Sequence, residues 1–142
     1  YFYNFILNNP ENRILAKRFR IIKLNDGYEV WVGKDSASND LLTMNYAKQN
    51  DLWFHVSGYS GSHTVLKIPD ETETVPRDII IIAAASICAY FSKARNAKRV
   101  KVSYTKAKNV QKYKGAESGS VVIKNEKTLT VEPGLPDGIT GI

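Results

Sequence analysis

Thirteen consecutive residues, Ile79 to Phe91, carry no charge, and only Ser86 among them falls outside the hydrophobic set. A bilayer span needs about 20 such residues, so this run has to be buried inside a protein instead. Pro76 suits the first turn of a helix that runs on to about Arg95, with Thr74 as its cap. The run is apolar nearly all round, and Ala83, Ala84, Ala85, Ser86 and Ala89 keep one side thin. A thin side permits close approach, which predicts a helix laid directly on a sheet.

The flanking sequence supplies that sheet. Phe19 to Leu24 and Tyr28 to Val32 read as strands joined by Asn25-Asp26-Gly27, residues that tolerate the positive φ of a tight hairpin. Asn39 is placed to cap a short helix over 40–48. Leu52 to Val56 and Ser62 to Ile68 follow as strands around a Gly58/Gly61 loop. Arg99 to Thr105, Ser120 to Lys124 and Lys127 to Glu132 complete the set, the last two as a hairpin about Asn125-Glu126. The expected class is α+β: a mostly antiparallel sheet with one long buried helix and one short helix in a single domain. A length of 142 residues suits one domain. It divides into an N-terminal extension (1–18), the domain proper (19–133) and an irregular tail (134–142).

With 43% hydrophobic and 24% charged residues the chain is neither disordered nor low-complexity. Its single cysteine, Cys88, excludes an internal disulfide framework and a Cys-based zinc site, and suits a reducing compartment. The aromatic start, Tyr1 to Leu7, lacks the basic region and cleavage site of a signal peptide. The first residue is not Met, which suggests a trimmed terminus or an excised piece. The expected setting is cytoplasmic, with no membrane contact.

Two groups of residues point to chemistry. Strand alternation sends Leu52, Phe54 and Val56 to the core and Asp51, Trp53 and His55 to the other face, with His63 and Lys67 on the neighbouring strand. A carboxylate, an indole and an imidazole sharing a face suggest contact with a partner; a half-exposed face with Trp53 packed on a neighbour is the plainer alternative. Asp51 and His55 lie roughly 13 Å apart along an extended strand, so they do not form a dyad unless it bends. Two histidines and one cysteine without structural-zinc spacing predict no metal site, and no other cofactor is implied.

The second group is basic. Between Lys93 and Lys114 lie Lys93, Arg95, Lys98, Arg99, Lys101, Lys106, Lys108, Lys112 and Lys114, with no acid among them. They account for nine of the 20 Lys and Arg residues, so the rest of the chain holds eleven against its fourteen acids. The net charge of +6 is therefore a local feature. Alternation puts Arg99, Lys101, Ser103 and Thr105 on one strand face, and Lys106 and Lys108 in the loop after it. Fixed cations of this kind suit phosphate contacts, and Trp53, Tyr59 and Tyr113 suit stacking with unpaired RNA bases.

These motifs, in order and spacing, resemble a known family. Gly33-Lys34, Asn39-Asp40-x-Leu42-Thr43, Asp51-Leu-Trp-Phe-His-Val56, Gly61-Ser-His63, Ser92-Lys-Ala-Arg-Asn96, Tyr104-Thr105, Gly115-Ala116, Lys127-Thr128 and Val131-x-Pro133 are similar to the NFACT-R RNA-binding domain. That domain occurs in the RqcH/NEMF ribosome quality-control proteins, whose bacterial members were once called fibronectin- or fibrinogen-binding. The resemblance runs from about Phe19 to Pro133. It implies an RNA-binding module that contacts tRNA or rRNA on the large ribosomal subunit, with the family's Asp-Trp-His triplet at Asp51, Trp53 and His55. Complete tailing of nascent chains is not expected of these residues alone, which carry neither an NFACT-N domain nor coiled-coil arms.

The expected interface is Asp51, Trp53, His55 and His63 together with Lys93, Arg95, Arg99, Lys101, Lys106 and Lys108. Trp53 would stack on a base, and His55 would donate to a phosphate or base edge, oriented by Asp51. No catalytic residue and no small-molecule substrate are expected. Two alternatives belong to other classes: a small RNA-directed hydrolase using His55, His63 and Asp51, and a protein-interaction module using the aromatic N-terminus.

Overall fold

The computed structural model describes residues 10–24, 27–59, 61–69 and 75–136, with the side chains of 10–12 left aside. Its elements run in the order α1 (Pro10–Arg18), β1 (Phe19–Lys23), β2 (Glu29–Gly33), α2 (Ser36–Leu41), a π-helical turn (Leu42–Tyr46), β3 (Leu52–Val56) and β4 (Thr64–Lys67). Then follow α3 (Asp78–Tyr90), β5 (Val100–Lys106), a 3-10 turn (Ala107–Asn109), β6 (Val110–Gln111), β7 (Val122–Ile123) and β8 (Lys127–Val131). Six strands form one antiparallel sheet in the order β1-β2-β4-β3-β5-β8, and β6 pairs β7 in a two-stranded ribbon.

Period-two alternation gives this sheet two apolar faces. Val30, Val32, Leu52, Phe54, Val56, Leu66, Val100 and Val102 meet Ile80, Ile81, Ala84, Ala85, Ile87, Cys88 and Ala89 of α3. The docking side holds only part of the thin side: Ala84, Ala85, Cys88 and Ala89 are fully buried beside Ile80, Ile81 and Ile87, whereas Ala83 and Ser86 are half-buried and Ile79 and Ile82 face outwards. Across the opposite face, cross-strand partners set up the row Ile21, Trp31, Val65, Trp53 and Thr105. Phe19, Ile21, Leu42, Trp53, Val65 and Val110 form a second, smaller core there, closed by Leu15 and Ala16 of α1 and by Val121 and Ile123. Among the described residues, no helix is long and apolar enough to cross a membrane.

The class and the helix-on-sheet arrangement match the expectation; several local assignments need correction. Asp35, not Asn39, caps the short helix, exchanging hydrogen bonds with Ser38 in a capping box. α3 begins after Arg77 and ends at Tyr90 rather than Arg95, because the Ser92 hydroxyl takes the Ala89 carbonyl and turns the chain away. Pro76 lies outside the helix, and Thr74 is outside the described residues. β7 and β8 do not form a hairpin: Asn125 adopts φ 55° between them, β7 pairs β6, and β8 pairs β5. α1 extends the structure into the segment read as an extension. Gly134 donates to Ser86 O and Leu135 packs on the main core, so the start of the tail is docked. Gly27 has the positive φ of the expected β1–β2 turn, whereas Asn25-Asp26 and Tyr1 to Leu7 lie outside the described residues.

Candidate nucleic-acid interface

One buried polar chain organises the face opposite α3. Trp53 Nε1 donates to Thr43 Oγ1 at 3.0 Å, and Thr43 Oγ1 lies 2.7 Å from His63 Nδ1. His63 Nε2 is 3.1 Å from the Gly119 carbonyl, which can only accept. The direction of every proton follows: Nε2 carries the hydrogen, Nδ1 accepts from Thr43, and Thr43 accepts from the indole. Burial, with the neighbouring His55 charge, lowers the His63 pKa to about 4, so this imidazole is neutral at pH 7.

The chain continues into α2. Gly119 N–H donates to Asp40 Oδ1 at 3.0 Å, and Lys112 pairs with Asp40 Oδ2 at 3.1 Å. Burial acts to raise the Asp40 pKa, but the Gly119 N–H and Lys112 outweigh it and the net shift is downward. Asn39 Oδ1 accepts the His63 backbone N–H, across a space that exists only because residue 33 is glycine: a Cβ there would lie 2.0 Å from that oxygen.

Three sequence expectations change on this geometry. Trp53 is 2% exposed, so its ring offers no open face to a base; its bulk fills the second core. Asp51, 1% exposed, does not orient His55: its oxygens accept from the Lys48 and Ile68 backbone N–H groups and pair with Lys67 at 2.7 Å. His63 is 2% exposed with both ring nitrogens engaged. The plainer alternative for Trp53, an indole packed on a neighbour, is the arrangement observed.

His55 is different, because it is only half-buried. Its ring stacks on Trp53 at 14° and stands at 88° to His63, forming an aromatic corner. Burial lowers its pKa, against a hydrogen bond to the Gly61 backbone that acts to raise it. The corner opens into a cleft of about 270 Å³ closed on its other side by Gly119, Ser120, Val121 and Ile123. Among the described residues no three of His, Cys, Asp and Glu converge as a metal-ligand group.

The basic residues spread over more than one surface. Lys93, Arg95, Lys98 and Arg99 are exposed on the α3–β5 connection, with the Arg95 guanidinium 3.8 Å over the Tyr90 ring. An isolated bridge between Gly61 and Ser92 brings this connection against the Gly61-Ser-His63 segment. A polar cleft of about 310 Å³ forms there, lined by Lys34, Asp35, Ser36, Ser62, Ser92 and Lys93 among others. Lys101 shares the His55 face of the sheet. Lys106 is the last residue of β5, not part of a loop, and by alternation it faces the α3 side. Lys108 is exposed in the 3-10 turn, and Lys112 is drawn inwards by Asp40 and the carbonyls of Glu117 and Ser120.

Sequence reasoning missed Thr43, Asn39, Asp40 and Gly119 as parts of the site. Asn39 was read as a helix cap, Asp40 and Thr43 were only motif positions and Gly119 carried no signal, since a hydrogen-bond chain spanning up to 79 positions in sequence leaves no local periodicity. Lys34 was legible as part of Gly33-Lys34 but was not assigned to the interface.

Residues 18–125 match the family model described as the NFACT protein RNA binding domain. The Rqc2 homolog RqcH of Bacillus subtilis is 37% identical over 124 residues, covering 87% of this chain and 20% of that protein. The Streptococcus suis RqcH is 41% identical over 104 residues, covering 73% of the chain and 18% of the protein. The chain thus spans about a fifth of these relatives. The solved C-terminal structure of the fibronectin/fibrinogen-binding protein from Streptococcus suis superposes with a TM-score of 0.74 at 36% identity, covering 82% of this chain and 46% of that one.

Proposed function

Since this chain belongs to the family of NFACT protein RNA-binding domains, we propose that it holds tRNA or rRNA on the large ribosomal subunit as a non-catalytic module of ribosome-associated quality control in the cytoplasm. The observation that carries this reading is the Gly61–Ser92 bridge. It joins two motifs far apart in sequence and sets Lys93 in one cleft with Lys34, with Arg95, Lys98 and Arg99 exposed on the same α3–β5 connection.

Partial burial and the nearby Arg20 charge lower the Lys34 pKa, so an anion arriving there is favoured by the field of both cations. Phosphates meeting such a rim release counterions, and binding should weaken steeply with salt. The RNA contributes its backbone; the rim reads no sequence.

Co-sedimentation of the purified chain with large ribosomal subunits tests the reading, with fluorescence anisotropy on tRNA alongside. About five phosphate contacts would lower affinity by about 10²-fold or more between 50 and 200 mM salt. The Lys93→Glu/Lys98→Glu/Arg99→Glu variant should weaken all RNAs by a similar factor. A salt-independent affinity, or subunit binding untouched by these reversals, would refute it.

A further inference from the structure

The cleft at His55 is distinct from the basic rim and has the shape of a site for one flat ring. Its walls are unequal in a useful way. On one side stands the aromatic corner, with His55 stacked on Trp53 and perpendicular to His63. On the other are the half-buried aliphatic side chains Val121 and Ile123, with Ser120 exposed beside them. A volume of about 270 Å³ admits one aromatic heterocycle and some water.

Hydrogen bonds and strand pairing hold both walls. Trp53 is fixed by Thr43, Gly119 is tied to both His63 and Asp40, and Val122–Ile123 is held by pairing with β6. A site fixed before binding loses little entropy when it is filled.

Charge says which ring. His55 opposes Ser103 on β5, so Lys101, two residues along the same face, is its diagonal neighbour at a typical Cα separation of about 7–8 Å. Lys101, Thr128 and Thr130 are all exposed, and the cross-strand register puts them on the face that His55 shares. A cation one nucleotide's reach from an aromatic corner fits a base with its phosphate better than it fits an uncharged side chain. The Gly61 backbone engages one His55 nitrogen. In a neutral ring the other is an acceptor, suited to an amino or imide N–H on a base edge.

We propose that this cleft receives one unpaired nucleobase of the bound RNA, stacked between the His55 imidazole and the Val121/Ile123 wall, with its phosphate at Lys101. The proposal rests on the RNA-binding reading and adds to it the chemical class recognised: single-stranded nucleotide rather than duplex. Trp53 acts through His55, as the platform behind it.

The test compares a fluorescein-labelled ten-nucleotide single-stranded RNA with an abasic counterpart of equal length and charge, by anisotropy at fixed salt. The base-containing strand should bind about tenfold or more tighter, the usual scale of a base–aromatic stack. His55→Ala should bring it down to the abasic level while leaving the abasic affinity unchanged, and His55→Phe should keep most of the difference. Val121→Trp, which fills the cleft from the opposite wall, should abolish the difference without touching His55. Equal affinity for the two strands, or a difference surviving in both His55→Ala and Val121→Trp, overturns the base site and leaves the phosphate rim standing. If neither strand binds the wild-type chain, the RNA-binding reading falls with it.

Discussion

Thr43 Oγ1 lies 2.7 Å from His63 Nδ1, and because Nε2 of the neutral imidazole donates to the Gly119 carbonyl, the bare Nδ1 accepts the Thr43 hydroxyl proton while Thr43 accepts the Trp53 indole N–H. The Gly119 carbonyl thus selects the Nε2–H tautomer of the neutral His63 ring. Protonating Nδ1 would set a donor against the hydroxyl and a charge inside the smaller core.

Stability should therefore fall on mild acidification. The His63 pKa is lowered to about 4 in the fold, against an ordinary 6.5 in the unfolded chain. Between these values the unfolded state binds more protons, so stability rises with pH across this window and is lost as pH drops from about 6.5 towards 4. The full difference is worth about 3 kcal/mol, and His55, shifted the same way, adds to it. Urea unfolding at pH 5 and pH 7.5 measures the loss, and His63→Gln should flatten the slope.

Trp53→Ala should destabilise the fold about as much as Phe54→Ala, roughly 3–5 kcal/mol each, because both side chains are almost fully buried, one in each core. Trp53→Phe keeps most of the volume and strands the Thr43 acceptor, for a loss of about 1–3 kcal/mol. Thermal unfolding of the three variants checks the order; a Trp53→Ala protein melting like wild type would contradict the packing.

Gly33→Ala should be costly for a reason unrelated to backbone freedom. The added methyl would lie 2.0 Å from Asn39 Oδ1 and expel the side chain that accepts the His63 N–H. Asn39→Ala removes the amide but leaves the residue 39 Cα 3.0 Å from the added methyl, so the double variant should be less destabilised than the sum of the singles without being free of strain. A double-mutant cycle in urea gives the coupling, expected in the range of about 0.5–3 kcal/mol. Strict additivity would show that the methyl is accommodated elsewhere.

Cys88 should be inert to thiol reagents in the folded state. Burial pushes its pKa up to about 12, and the residue is fully enclosed beneath α3. Labelling by a maleimide should proceed only at the rate of unfolding and accelerate with denaturant. Fast labelling in native buffer would mean that α3 opens locally.

The sequence by itself determined the layout of the main core. An uncharged run too short for a membrane, thin on one side, must lie on a sheet, and Leu52, Phe54 and Val56 had to face it because alternation is a property of each strand alone. The same logic separated Trp53 and His55 from that core. It also picked out the basic segment, since charge needs no fold to be counted.

What the tertiary structure alone decided is which residues of the other face are open. Whether an indole is a platform or a core residue depends on what covers it, and Trp53 is covered by elements from elsewhere in the chain: Leu42 after α2, Val110 of β6 and Val121 beside β7. The β6–β7 pairing has only two residues on each side, too few for a periodic signal, yet it closes the second core and builds the far wall of the cleft. Asp51 and His63 were legible as polar residues. Lys67 was legible on the neighbouring strand, but its pairing with Asp51 and the partners Ile68, Thr43 and Gly119 were not, because a hydrogen bond depends on distance in space, and separations of up to 56 positions leave no mark on the local pattern.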